Sequence, residues 1–300
     1  MKFYIVTPSY NALYWLQGCV RSIADQVGET VQVHHHVQDG GSTDGTQAWL
    51  EAWQKEHENT PRYKLTYESG KDAGMYDALN IAWSKLPEDA DVTAHLNCDE
   101  QYLPDALKKV GELLLLYPDA DVMLTSHIAV SAQGKYVCHR RPVKPVRWIS
   151  DTASIIQTCV CFYRANSFRR FNTRYDIRLR AMADMAMYKN LVRANCRFVL
   201  RPDLFTSVFA MTGDNLGWET EIIKKDFELL RNDDPAMNSW FNRHLPWRFC
   251  SLIRLLKDFA YPAPRYYDIF VEAGVFRQRF TIEKPTARWG YRMGCDVTRE

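Results

Sequence analysis

The chain reads as an α/β domain on a mostly parallel, doubly wound sheet flanked by helices, with a helical C-terminal appendage. Three observations predict this. From Phe3 to Ile128, β-type runs alternate with helical runs, the order that yields parallel strands joined by right-handed crossovers. The turn Asp39-Gly40-Gly41-Ser42-Thr43-Asp44-Gly45-Thr46 joins a β-type run to a helix, at the place where open α/β sheets hold nucleotides. Toward the C-terminus the alternation gives way to an amphipathic helical pattern, with Phe249, Leu252, Ile253, Leu256 and Phe259 on one stripe.

The elements follow in order. Phe3 to Val6 is the first strand. Leu13 to Gln26 is helical, with Leu13, Leu16, Val20 and Ile23 on one face and Asn11 placed as N-cap. The second strand spans Val31 to Gln38, and the second helix runs from Asp44 to His57. Tyr63 to Tyr67 alternates as a third strand. Gly74 opens a helix from Met75 to Lys85, and Asp91 to Leu96 is a fourth strand. Pro104 marks the first turn of a helix through Leu116, and Val122 to Ile128 is a further strand. Ser154 to Tyr163 reads as a strand, Ala181 to Arg193 as a helix, and Arg197 to Leu200 as a strand. This order gathers the loops Thr7–Asn11, Asp39–Gly45, Glu68–Gly74 and Asn97–Glu100 on one sheet edge, all rich in polar, acidic or glycine residues.

Composition narrows the function. A net charge of +2 gives no reason to expect nucleic-acid binding. An apolar content of 46% with 13% aromatics fills a large core. The N-terminal apolar run is too short for a signal peptide, and no stretch is long enough for a membrane helix. Eight cysteines are scattered without a metal-type pair. They read as buried filler in a reduced, cytoplasmic chain, with Cys159 and Cys161 on one strand face. His34, His35 and His36 resemble a metal tag, but successive strand residues point to opposite faces and cannot converge on one ion.

Two stretches carry excess cations. Lys135, Arg140, Arg141, Lys144 and Arg147 lie where the periodicity dissolves, with no acid among them. They read either as a solvated loop or as a basic lip beside an anionic substrate. From Phe241 to Glu300, eleven Lys/Arg face six Asp/Glu. The amphipathic stretch Trp247 to Ala260 either packs on the domain or lies on an anionic membrane.

With those loops placed, the chain resembles glycosyltransferase family 2 over about residues 1 to 215. Four segments carry the likeness. They are Val6-Thr7-Pro8-Ser9-Tyr10-Asn11, Asp39 to Thr46, Glu68 to Asn80, and Leu96-Asn97-Cys98-Asp99-Glu100 at the family's D-x-D metal motif. The resemblance implies a GT-A fold with a Rossmann-like sheet. It divides the chain into a nucleotide-binding half at 1–100, an acceptor half at 101–215 and a helical, membrane-associating extension at 216–300.

Carried over by position, Asp39 accepts a hydrogen bond from the nucleobase, and Thr7, Tyr10 and Asp72 line the same pocket. Gly74 lets a helix start close to the donor. Asp99 binds a divalent ion, Mn²⁺ or Mg²⁺, that bridges to the diphosphate. Asn97 departs from the family's aspartate and either binds the metal weakly or contacts ribose. Glu100 adds an acid through water or opens a solvated helix. Tyr76, Asp77 and Asn80 either touch ligand or cap and pack their helix. Asp184 matches the late acid and is the candidate general base, with Asp176 as fallback. Gly213-Asp214-Asn215 loosely matches a segment that closes over the donor.

The implied activity is inverting transfer of one sugar from a nucleotide-diphosphate sugar, a UDP-sugar, to a glycan or lipid-linked acceptor in surface-polysaccharide synthesis. The implied location is cytoplasmic, at the inner face of the membrane. Asn97 keeps open a second reading, a catalytically inactive nucleotide-binding scaffold. A processive synthase is disfavoured because Arg147-Trp148 lacks the upstream glutamine of Q-x-x-R-W. A nucleotidyltransferase is disfavoured because Thr7-Pro8-Ser9-Tyr10 is not its G-x-G-x-R turn.

Overall fold

A computed structural model describes residues 1–150, 156–213, 220–234, 237 and 240–286, with the backbone alone over 240–247. The chain runs β1 (Lys2–Ser9), α1 (Leu13–Ala24), β2 (Gln32–Asp39), α2 (Thr46–Glu56), β3 (Tyr63–Ser69), α3 (Met75–Ser84), β4 (Val92–His95), β5 (Glu100–Tyr102) and α4 (Ala106–Leu116). It continues through β6 (Val122–Ser131), β7 (Tyr136–Arg140), α5 (Arg147–Ser150), a 3-10 turn (Thr158–Val160), β8 (Cys161–Arg164), α6 (Ala165–Arg170), α7 (Ala183–Arg193) and β9 (Phe198–Met211). The C-terminal part holds α8 (Thr220–Asp233), α9 (Trp240–Ala260) and a hairpin, β10 (Tyr266–Val271) with β11 (Phe276–Thr281).

The main sheet has the order β3-β2-β1-β4-β8-β6-β9-β5, with β7 beside β6. Strands β3, β2, β1 and β4 are parallel, and β6 is parallel to β9. The short β8 runs antiparallel between β4 and β6. Period-2 alternation along β1 divides the core. Phe3 and Ile5 join Leu16, Val20 and Ile23 of α1 on one face, while Tyr4 and Val6 join Leu79 and Trp83 of α3 on the other. Both faces are covered, as parallel sheets require.

Several expectations change. Asn11 does not cap α1, whose N-cap is Ala12. At φ +48°, Asn11 turns its side-chain oxygen to the Thr43 N–H (2.8 Å), and the Asp44 carboxylate accepts the Leu13 N–H instead (2.9 Å). A remote acid thus satisfies the helix start and stitches the first loop to the second. The expected Ser154–Tyr163 strand begins only at Cys161. Cys159 lies in the 3-10 turn, so it does not alternate with Cys161 along a strand, and 151–155 lie outside the described residues. The histidines divide as expected. His34 and His36 share the Thr66 hydroxyl (2.9 Å each), while His35 faces the opposite way to Thr7.

Where the pattern dissolved, the chain forms β7 and α5. Short strands at β5 and β7, and the β10–β11 hairpin in the extension read as helical, escape the periodicity. Arg141 is fully buried and pairs with Asp258 of α9 (2.9 Å). Its guanidinium also donates to the carbonyls of Pro202, Tyr261 (3.2 Å) and Pro262 (3.0 Å). The compensating acid stands 117 residues away in sequence, out of reach of a local charge count. His139 adds a second contact to Asp258 (2.9 Å).

Asp258→Ala leaves the buried Arg141 charge uncompensated. Urea unfolding should show a loss of about 3 kcal/mol. A loss below about 1 kcal/mol, the range of surface pairs, would mean that Asp258 does not hold α9 to the sheet.

Candidate active site

The loops after β1, β2 and β3 close around one carboxylate. Asp39 ends β2 and is fully buried. Its Oδ2 accepts the N–H groups of Gly41 (3.2 Å) and Ser42 (3.0 Å) and the hydroxyl of Ser69 (2.6 Å). Its Oδ1 accepts the Ser42 hydroxyl. Asp39 therefore spends most of its accepting capacity on its own loop, with little left for a base. Thr7 changes more. Its side chain is fully buried and its hydroxyl is engaged by His35 (2.9 Å), so it does not line an open pocket.

Gly40 explains the neighbouring wall. A Cβ there would lie 3.0 Å from Asp72 Oδ2 and 3.3 Å from the Tyr10 ring. A side chain there would push both neighbours back by a few tenths of an ångström. Tyr10 is 68% exposed and offers an open aromatic face. Asp72 Oδ1 accepts the Gly74 N–H (2.8 Å). Gly74 stands at φ +117°, a region that L side chains avoid. Arg180, which the motif matching passed over, leans on this turn. Its guanidinium comes within 3.8 Å of the point where a Gly74 Cβ would stand. The contact is legible only in three dimensions.

The metal-motif loop lies on the same edge. The Cys98 thiol donates to the Pro8 carbonyl (3.2 Å). Burial raises its proton affinity, and the charges of Asp99, Asp39 and Asp44 add to the effect. Asp39 and Asp99 thus act on one sulfur from two different loops. Asp99 is half-buried. Asn97 presents a buried side-chain oxygen with no hydrogen-bond partner. That oxygen and the Asp99 carboxylate are hard donors of the type that suits Mg²⁺ or Mn²⁺. Among the described residues no group of three or more His, Cys, Asp or Glu is arranged to hold a metal, so a cation here needs further oxygens from its substrate.

Glu100 is neither a solvated helix start nor an acid reaching through water. It opens β5, opposite Phe209 of β9, and is fully buried. Its Oε2 accepts the Asn97 N–H (2.7 Å), which shapes the loop that carries Asp99. Burial first, then the charge of Asp99, push its pKa up to about 8. Near neutral pH it is a neutral acid.

Asp184 sits half-buried in the first turn of α7, and its Oδ1 accepts the Met185 N–H (2.7 Å). The Cys161 thiol is pushed up to about 12, first by burial, with smaller contributions from Asp184 and Glu100. Asp176 is engaged by Arg178 (2.6 Å), which leaves it poorly placed as a base. Tyr76, Asp77 and Asn80 serve the structure. Tyr76 is buried, Asp77 accepts the Ala73 N–H (3.0 Å), and Asn80 exchanges two 2.9 Å bonds with the Tyr175 backbone. Of Gly213-Asp214-Asn215, the last two lie outside the described residues.

The raised pKa of Glu100 has a sign. The folded state holds a proton that the unfolded chain releases above pH 4.5. The stability this proton confers is complete below that value and is lost as pH climbs through about 8. Glu100→Gln stays neutral throughout. Thermal unfolding of the two proteins should therefore diverge between about pH 5 and pH 8, with wild type falling behind. Parallel curves would show that Glu100 ionises normally.

Comparison with known proteins bears on the fold and the family. No curated protein sequence matches. Among solved structures, S. aureus TarS 1-349 superposes with a TM-score of 0.56 at 17% identity, over 77% of this chain and 65% of that one. The same protein in complex with UDP-GlcNAc gives 0.59 at 17%, over 77% and 66%. The mannosyltransferase PcManGT from Pyrobaculum calidifontis, in complex with GDP-Man and Mn²⁺, gives 0.55 at 16%, over 86% and 75%. The chain thus spans just under two thirds of TarS 1-349, and at these identities the likeness speaks to the GT-A fold. The sequence model of Glycosyl transferase family 2 matches residues 4–192, well over half of the chain, and the protein belongs to that family.

Proposed function

We propose that the chain is an inverting glycosyltransferase that moves one sugar from a UDP-sugar to a hydroxyl of a glycan or lipid-linked acceptor of surface polysaccharide. One observation carries the reading. Asp39, Asp72 and Asp99 follow the parallel strands β2, β3 and β4 at the edge where open α/β folds bind ligands, and Arg180, four residues before Asp184, leans on the Gly74 turn of that edge. Residues 1–100 would bind the donor and 101–215 the acceptor.

In this reading Asp39 keeps the turn in shape behind the Tyr10 face and Asp72, which hold the nucleoside. Gly40 and Gly74 keep the backbone close to it. Asp99 and the Asn97 amide oxygen would hold a divalent cation that offsets the charge gathering on the departing diphosphate. Glu100, neutral and buried, fixes the shape of that loop without adding a second negative charge. Asp184 takes the proton from the acceptor hydroxyl as its oxygen bonds to the anomeric carbon. The bond from that carbon to the diphosphate breaks on the opposite face, so a single displacement inverts the centre. The proton rests on Asp184 and the electron pair leaves with the nucleoside diphosphate.

The extension supports a membrane-facing role at the cytoplasmic surface. No described helix is long and apolar enough to cross a membrane. Along α9, Leu252, Leu256 and Phe259 are 52%, 57% and 83% exposed, while Arg254 is buried. The apolar stripe points outward and the off-stripe cation inward, the reverse of a helix packing its apolar face on the domain. Trp148 stacks beside Phe249 (5.1 Å), and Lys144, Arg147 and Arg248 are exposed. An outward apolar face flanked by cations suits an anionic lipid surface near a lipid-linked acceptor.

Two experiments test these readings. With Mn²⁺, a UDP-sugar and acceptor, Asp184→Asn should lower kcat by about 10²-fold or more, the contribution of a general base, with UDP affinity nearly unchanged. Turnover intact in Asp184→Asn removes it as the base. UDP affinity independent of Mn²⁺, with no turnover of any donor, favours the scaffold. For the membrane, wild type should sediment with phosphatidylglycerol vesicles at low salt and Phe259→Glu should not. Equal sedimentation of the two would remove α9 as the contact.

A further inference from the structure

We propose that Asp226, in the C-terminal extension, is a positioning residue for the transfer step. It would fix the start of α7 and with it the stance of Asp184 and Arg180. The proposal rests on the reading of Asp184 as general base and names the part of the chain that holds it.

A helix start leaves its first N–H groups without intrahelical partners. α7 has no side-chain cap of its own. A carboxylate of α8 instead holds the segment that leads into α7 and reaches the N–H of its N-cap residue, Met182. Asp226 is 2% exposed. Its Oδ2 accepts the N–H of Ala181 (2.7 Å), of Met182 (2.9 Å) and of Arg180 (2.9 Å), and its Oδ1 lies 3.1 Å from the last. Three consecutive donors are thus held by one buried side chain from another helix. Hydrogen bonds to a charged acceptor are among the stronger ones, and three on a single buried carboxylate leave the backbone little freedom.

This segment is the one that carries the chemistry. Arg180, the first residue of the clamp, reaches over Gly74, and Asp184 stands two residues past its last bond to Asp226. The far end of α7 is tied to the region after α8 as well, through Lys189 and Arg193 to Asp234 (2.6 Å each). Yet Asp226 lies outside the family match at 4–192. The family portion therefore supplies the base, and the extension supplies what orients it. A misplacement of about 1 Å at such a group costs about 10²-fold in rate.

The test uses the full chain with Asp226→Asn and Asp226→Ala. Amide hydrogen exchange in wild type should show slow exchange at Arg180, Ala181 and Met182, and both variants should exchange faster there. Fast exchange at these amides in wild type would overturn the clamp. This arm needs no substrate, so it is independent of the donor reading and remains decisive if a variant fails to fold. In the kinetic arm, kcat per folded enzyme should fall about 10²-fold in Asp226→Ala and less in Asp226→Asn, which keeps one acceptor oxygen. UDP affinity should change less than about twofold. A lower melting temperature with unchanged kcat per folded enzyme would make Asp226 a cap and nothing more.

Discussion

Much of this molecule depends on the need of one buried carboxylate for donors. Asp39 sits at the end of a central strand with no contact with water. A charge in that position is tolerated only if it is fully hydrogen-bonded. Ser42 and Gly41 of its own turn and Ser69 from the end of β3 meet the requirement. In doing so they set the path of two loops. The Asn11–Thr43 and Asp44–Leu13 bonds then bring the β1 loop to the same place. The cleft is shaped before any ligand enters, which lowers the ordering cost of binding.

The same logic recurs at larger distances. Glu100 shapes the metal-motif loop, Asp226 the start of α7, and Arg141 with Asp258 the seat of α9. Each is a buried ionisable group, and for Asp226 and Arg141 the partners lie on another element. Such groups contribute less to net stability than their Coulomb attraction suggests. Their geometric effect is larger, because an unsatisfied alternative is costly and the chain is left with one arrangement. The extension is therefore joined to the domain twice, at the sheet through a buried guanidinium and at the start of α7 through a buried carboxylate.

The roles of Asp39 and Thr7 look different once the side chains are placed. A motif match treats an acid at a strand end as a ligand contact. Here the carboxylate does much of its bonding to the protein itself, and the more open surface belongs to Tyr10, Asp72 and Arg180. The motif marks a place where the backbone must turn tightly as much as a place where a base is read. The glycines carry the same double meaning. Gly40 is favoured by the approach of Asp72 and Tyr10, and Gly74 by a positive φ.

The sequence by itself determined the alternation of strands and helices, the two-faced burial of β1, and the loops that meet at one edge. These features depend on local periodicity and turn chemistry, which a linear chain displays. Through the resemblance to glycosyltransferase family 2 it also pointed to Asp39, Asp72, Asp99 and Asp184. Only the tertiary structure decided which partner each group takes. Arg141 looked uncompensated because its acid is far along the chain, the apolar stripe of α9 was left between two orientations because periodicity gives a face and not its direction, and β5 was invisible because three residues carry no period. Asp226 had no motif at all. Contacts between distant segments are fixed by packing and by the satisfaction of buried charge, and neither is written in the order of neighbouring residues.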